Sequence, residues 1–282
     1  AELRDMPALS SQASAVLHYT PHYLWSLGTA QRILATYNKQ ASLWPTPSPS
    51  LPQLLKFIVI VREPVARAIS SYWFTEGSHG VAGPSKPHGT GGSVEHARDI
   101  FKLEMDLLRP CLPQAHCFAS PNSSQAPPYA RCANDFDTCL VSRSESLSST
   151  GYPSSIAAHV GKGLYAAQLL RWFAIFSPRQ FHVLPMERMY LNGEETRGAC
   201  YHELFAWLGI APQLTTAEFS SLVAQTPSNP TQNPSKRPFD AQEKRNLSTF
   251  FEDASLNLAA LLGSTEVTSW WPSYADTDQV ES

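Results

Sequence analysis

Arg62 and Ser70 carry the plainest chemical signal in this chain. They flank Pro64 and follow directly on the apolar run Phe57-Ile58-Val59-Ile60-Val61. A guanidinium offers a rigid fork of donors suited to phosphate oxygens, and a nearby hydroxyl adds one more. The apolar run is β-branched and too short for a helix, so it reads as a strand buried on both faces, of the kind found in parallel sheets. Pro64 falls where a helix would begin, since its fixed φ suits the first turn and its missing N–H is not needed there. Strand, tight turn and helix N-terminus in that order aim free backbone N–H groups and a positive dipole end at the sheet's carboxyl edge. The expected chemistry is phosphate binding. The same residues would also suit a strand and helix whose arginine makes a structural salt bridge.

Cysteine supplies a second possible chemistry. Of the residues at 111, 117, 132, 139 and 200, the first four crowd into a segment rich in Pro, Ser and Asn. That pattern reads as loop disulfides in an oxidising compartment, whereas zinc would call for closer paired spacings and histidine partners, and only His116 is near. Free thiols are the third reading. The triplets Asn122-Ser123-Ser124 and Asn246-Leu247-Ser248 have the form of N-glycosylation sequons and fit a secretory location. Cys200 lies in a helical pattern and is expected as an unpaired core residue. Gly89-Thr90-Gly91-Gly92-Ser93 is no phosphate loop, because it neither follows a strand nor carries a lysine before its Ser or Thr.

Length and charge bound the elements that position these groups. The 282 residues suffice for one large α/β domain, which is the expected organisation over 1–282. A net charge of −3 argues against a nucleic-acid binder that relies on general electrostatic attraction, so any anion site must be local. No apolar run is long enough to span a bilayer. The chain opens Ala1-Glu2-Leu3-Arg4 without an initiator methionine, signal peptide or anchor and reads as a processed or trimmed product, which leaves room for a signal anchor upstream.

Along the chain, a helix is expected over about 26–37, with Ala30, Ile33, Leu34 and Tyr37 on one face. The proline-rich stretch 42–53 is a connector. The strand at 56–62 and the helix at 64–76 come next, then a Gly-, Pro- and Ser-rich flexible loop over 77–93. Residues 94–108 read as a helix with Ile100, Leu103 and Leu107 inward and Glu95, Asp99 and Glu104 solvated. The cysteine-bearing insertion 111–150 reads as a disulfide-held flap without a core of its own, with Arg131 and Arg143 solvated. A helix within 154–177 buries Leu164, Leu169, Trp172 and Phe176 and leads to a strand at 180–184. Lys162 and Tyr165 are candidates for a cleft. Helices over 196–209 and 241–262 end at Gly209 and Gly263.

The run V-R-E-P-V-A-R-A-I-S-S-Y-W at 61–73 resembles the 3′-phosphate segment of sulfotransferases that use 3′-phosphoadenosine-5′-phosphosulfate (PAPS), of the form R-[DNE]-P-x-x-R-x-x-S-x-Y. It is similar to the Golgi carbohydrate branch, including the heparan sulfate enzymes. The resemblance implies that Arg62 and Ser70 hold the 3′-phosphate of PAPS. His159 to Phe173 is similar to the family's G-x-[GS]-x-Y-x-x-x-L-x-x-W helix, and Glu187 closes the strand after it. Val16 to Trp25 resembles the stretch G-E-K-T-P-x-Y-L, whose glutamate is the family's proposed base. His18 stands at that position, and a neutral imidazole can accept the proton; His22 is the weaker alternative. Ser235 to Phe239 resembles the closing element over the 3′-phosphate, which makes Lys236 and Arg237 candidates there.

One part of the family pattern is missing from these residues: the apolar strand and lysine-bearing 5′-phosphosulfate loop that open the fold. The implied architecture is therefore a three-layer sandwich with a central parallel sheet, a P-loop-NTPase-like sulfotransferase fold, N-terminally incomplete. The implied activity is sulfuryl transfer from PAPS to a hydroxyl or amine of a carbohydrate acceptor in the Golgi lumen or secretory pathway, without a metal. The alternative is a degenerate sulfotransferase-like domain that binds a glycan or nucleotide without turnover. A nucleotide kinase would need a Walker lysine loop and metal carboxylates, and neither is present.

Overall fold

The computed structural model describes residues 23–41, 54–74, 93–118, 128–148, 159–190, 194–210, 221 and 239–271. In chain order the elements are α1 (Thr29–Ala41), β1 (Phe57–Val61), α2 (Pro64–Tyr72), α3 (Val94–Leu108), α4 (Tyr129–Ser148), α5 (Tyr165–Phe173), β2 (Phe181–Pro185), α6 (Met186–Tyr190), α7 (Glu194–Leu208) and α8 (Ala241–Leu262). The two strands pair in parallel, in a register that runs from Phe57 opposite Phe181 to Val61 opposite Pro185. Parallel neighbours cannot be joined by a hairpin, and the crossover here carries α2 to α5. The described residues thus form a mostly helical α/β arrangement around a small parallel sheet. The expected three-layer sandwich on a P-loop-like sheet is not established, since the sheet among these residues has the two strands β1 and β2.

Every residue of α5 is buried, which is the signature of a helix enclosed on all sides. Leu169, Leu170, Trp172 and Phe173 pack with Val59, Val61 and Phe181 of the sheet, while Leu164 and Ala167 join the core formed by α2, α3 and α8. The other face of β1 is covered only in part. Ile58 packs on Leu184, Met189, Cys200 and Leu204, but Ile60, two residues on and therefore on the same face, is 44% exposed. The expectation of a strand buried on both faces fails at that residue, which stands outside the cluster that covers Ile58. Among the described residues no helix is long and apolar enough to cross a membrane.

The segment 111–150 differs most from its expected form. It contains the twenty-residue helix α4, which lies against α5, and Cys117, Phe118, Tyr129, Cys132 and Ala133 belong to the main core. Its described residues, 111–118 and 128–148, form a wall of the core rather than a flap. The polar surface of α4 hid its helical periodicity in the sequence, and the tie to α5 is itself polar: Arg171 Nε lies 2.5 Å from Asp137 Oδ1, with the guanidinium over the rings of Trp25 and Phe136. The four cysteines form two nested disulfides, Cys111–Cys139 and Cys117–Cys132. His116 lies against the inner bridge, Nε2 being 3.6 Å from Cys117 Sγ, but both sulfurs are committed to each other, not to a metal. Cys200 is unpaired and fully buried, as its helical setting implies.

Two helix boundaries follow directly from residue chemistry. In α8, Asp240 accepts from the N–H of Glu243 and Glu243 returns the bond to the N–H of Asp240, a reciprocal cap; Gly263 ends the helix at φ 63°. In α3 the bounds match the expected 94–108, but the face does not. The buried residues are Val94, Ala97, Phe101, Glu104 and Leu108, spaced three and four apart, so Glu104 sits in the apolar stripe rather than in solvent.

Candidate functional site

The candidate site is built on the two peptide units that leave β1. The Arg62 N–H donates to the Tyr165 hydroxyl at 3.2 Å, and that hydroxyl donates to the Arg62 carbonyl at 2.9 Å. The Glu63 N–H donates to Glu187 Oε1 at 2.8 Å, while Glu187 Oε2 accepts from Trp271 Nε1 at 3.0 Å. Tyr165 comes from the first turn of α5 and Glu187 from α6, just past β2. A turn without regular pairing of its own is thus satisfied by two buried or half-buried side chains. Burial pushes the Tyr165 hydroxyl up to about 12, so it stays protonated and able to donate.

The N-terminus of α2 differs from its expected role. Glu63 folds back so that its carboxylate accepts from the N–H of Val65 at 2.8 Å and of Ala66 at 2.5 Å. The donors expected to face an anion are taken by this cap, which also offsets the dipole. Anion binding here must rest on side chains.

A second wall comes from the turn at 159–163. Gly163 lets that turn sit against α2 and α8: a Cβ there would lie 2.8 Å from Phe251 Cε1 and 3.3 Å from Pro64 Cβ. Lys162, the preceding residue, is thereby held close to the start of α2. Glu104 reaches the same turn from α3 and accepts from the N–H groups of His159 (3.1 Å to Oε2) and Val160 (2.6 Å). Arg67 Nη1 donates to the His159 carbonyl at 3.0 Å, and His159 Nδ1 lies 3.1 Å from Ser71 Oγ. Burial pushes the Glu104 carboxyl up to about 7 against the pull of the Val160, His159 and Gly161 N–H groups and of Arg67. Burial, with Lys162 and Arg67 nearby, pushes His159 down to about 4, so its ring is neutral.

Three cations therefore border this region. Arg67 is within electrostatic reach of both Arg62 and Lys162, and burial lowers it from its usual value. The carboxylates Glu63, Glu104 and Glu187 formally balance them, so net charge does not mark the site. Hydrogen-bonding capacity does: each carboxylate accepts from backbone N–H groups, and among the described residues none forms an ion pair with Arg62, Arg67 or Lys162. A phosphomonoester, with oxygens that accept forked donors, suits this set.

Of the residues singled out in the sequence, Arg62 lies at the carboxyl end of β1 and is half-buried. Ser70 lies in α2, and at about 100° per residue it falls on the side away from the buried Val65, Ala68 and Tyr72. No hydrogen bond among the described residues links Ser70 to Arg62, and it is Ser71 that meets His159. Lys162 is half-buried, whereas Tyr165 serves the backbone of Arg62 rather than a cleft. Arg131 is solvated, as expected, and pairs loosely with Asp135 at 3.9 Å. His18, His22, Lys236 and Arg237, nearly all of the loop 77–93 and the sequon at Asn122 lie outside the described residues. The sequence reading missed Glu104, although its place in the 94, 97, 101, 104, 108 stripe was available.

Tyr165→Phe leaves the Arg62 N–H and C=O without their partner and is expected to lower stability by about 1–3 kcal/mol in urea denaturation, against near-neutrality if the hydroxyl were idle. Glu104 titrates higher in the folded chain than its ordinary 4.5, so its contribution to stability is full below that value and lost as pH rises through about 7. The difference in unfolding free energy between Glu104→Gln and the parent should accordingly move in favour of the variant from about pH 4.5 to about 7 and then level off. A difference that is flat across that range contradicts the placement of Glu104.

No protein-family model matches the sequence, and no curated protein matches it. Among solved structures, the crystal structure of a sulfotransferase from Alicyclobacillus acidocaldarius is similar, with a TM-score of 0.37 and 18% identity over 88% of this chain and 64% of that one. The chain thus spans under two thirds of that protein's length, and a likeness of this degree assigns neither fold nor activity.

Proposed function

We propose that this chain is a sulfotransferase that uses PAPS as donor and a hydroxyl or amine of a carbohydrate as acceptor. The observation that supports it best is the state of Arg62. Its peptide unit is fixed by Tyr165, and its guanidinium has no carboxylate partner among the described residues, which disfavours the structural salt bridge as its role. An arginine held by its backbone, with no carboxylate on its donor fork among the described residues, is suited to a ligand anion. The resemblance of the run at 61–73 to the family's phosphate segment supports the 3′-phosphate of the donor as that anion.

In this reading Arg62 and Ser70 bind the 3′-phosphate, and Lys236 or Arg237 closes over it. His18 accepts the proton of the acceptor as its oxygen or nitrogen attacks sulfur, while the sulfur–oxygen bond to adenosine 3′,5′-bisphosphate breaks. The chain contributes positioning, a base and positive charge, the usual means of catalysing such displacements. The two disulfides support folding in an oxidising compartment, consistent with the Golgi lumen or secretory pathway and a glycan partner. The second reading, a domain that binds without turnover, is favoured by one feature: no lysine-bearing phosphosulfate loop occurs in these 282 residues.

Calorimetry with adenosine 3′,5′-bisphosphate tests the donor site. Arg62→Ala should weaken binding by about 1.5–3 kcal/mol, the worth of a charge-assisted hydrogen bond, with the fold intact by circular dichroism. Absence of binding by the parent chain contradicts the enzyme reading and favours the domain that binds without turnover. Transfer of labelled sulfate from PAPS to a glycan then separates enzyme from binder.

A further inference from the structure

We propose that Lys162 is a direct anion contact at the site marked by Arg62, donating from Nζ to a phosphate oxygen of the bound donor. This inference rests on the reading above and extends it to a residue outside the motif at 61–73. The turn that carries Lys162 is fixed on three sides. Gly163 is pressed between Phe251 and Pro64, Glu104 accepts the N–H groups of His159 and Val160, and Arg67 donates to the His159 carbonyl. Since Pro64 is the first residue of α2, two positions after Arg62, this packing holds Lys162 beside the strand exit.

Among the described residues, the environment of the ammonium gives no structural reason for it. It is half-buried, and both burial and the guanidinium of Arg67 disfavour its charged form. The carboxylate within its reach is Glu104, whose oxygens are engaged by backbone N–H groups. No ion pair or hydrogen bond from Nζ is formed among the described residues. A cation held near a like charge, desolvated and with no acceptor for its donors among the described residues, weakens the empty fold and gains its partner when an anion arrives. Arg67, between the two, already serves the His159 carbonyl and acts as a positioning residue.

The test is calorimetry with adenosine 3′,5′-bisphosphate at several salt concentrations, on the parent chain and on Lys162→Met, Lys162→Arg and Arg62→Ala. Lys162→Met is expected to weaken binding by about tenfold or more and to make its salt dependence shallower, and Lys162→Arg to restore most of the affinity. The melting temperature of Lys162→Met should be unchanged or higher, because a repulsion is removed; a purely structural lysine would lower it. If Arg62→Ala loses binding while Lys162→Met keeps both affinity and salt dependence, the role of Lys162 falls and the donor site stands. If Lys162→Met melts lower and Lys162→Arg binds no better than it does, the role also falls. If the parent chain does not bind the bisphosphate, the donor site and Lys162 fall together.

Discussion

Two peptide units at the exit of β1 hold the candidate site in place. A strand that ends in a tight turn leaves N–H and C=O groups that water would normally satisfy, and here one protein hydroxyl and one carboxylate do so instead. Because Tyr165 both accepts from and donates to Arg62, the backbone at that residue is fixed in position and orientation. Glu187 fixes the next unit, and Glu63 then caps α2 with its own side chain. The guanidinium is thus presented from a rigid base, the condition under which a forked donor recognises an anion with little loss of freedom.

The wall opposite is held by a buried carboxylate. Glu104 sits in the apolar stripe of α3, where an isolated charge would be costly, and the N–H groups of the 159–161 turn offset that cost. The compensation is incomplete, which is why its carboxyl titrates near neutrality while His159 beside it is held neutral. α4 and the nested disulfides brace this arrangement, through Asp137 on Arg171, through Phe136 and Leu140 in the core that holds Val160, and through the residues around Cys117 and Cys132.

Much of the fold was legible from local chemistry. The β-branched run, Pro64 at a first turn, and the glycines after α7 and α8 located β1, the start of α2 and two helix ends to within a residue or two, and parallel pairing followed from the apolar strand. The cysteine cluster announced its disulfides. What escaped was set by tertiary context. α4 carries too many polar residues for its periodicity to stand out, yet its buried side chains enter both cores. The α3 stripe was read one residue out of phase because Glu104 was counted as polar and therefore solvated. Within the site, Arg62 and the Glu187 position were visible by motif. The clamp by Tyr165 joins residues 103 positions apart, and the close approach at Gly163 depends on Phe251, so neither leaves a local signal. The capping of α2 by Glu63 is the instructive case: the acidic residue before Pro64 was in plain view, and it removes the free N–H donors that the strand and helix alone would have offered.

The central claim is that the Arg62 guanidinium, immobilised from behind, receives the ribose-linked phosphate of a sulfate donor. A crystal structure of the chain with adenosine 3′,5′-bisphosphate tests it most directly. The account predicts the 3′-phosphate within hydrogen-bonding distance of Arg62, with the Tyr165 hydroxyl still on the Arg62 backbone. Nucleotide bound elsewhere, or Arg62 ion-paired to a protein carboxylate in the presence of the ligand, would contradict it.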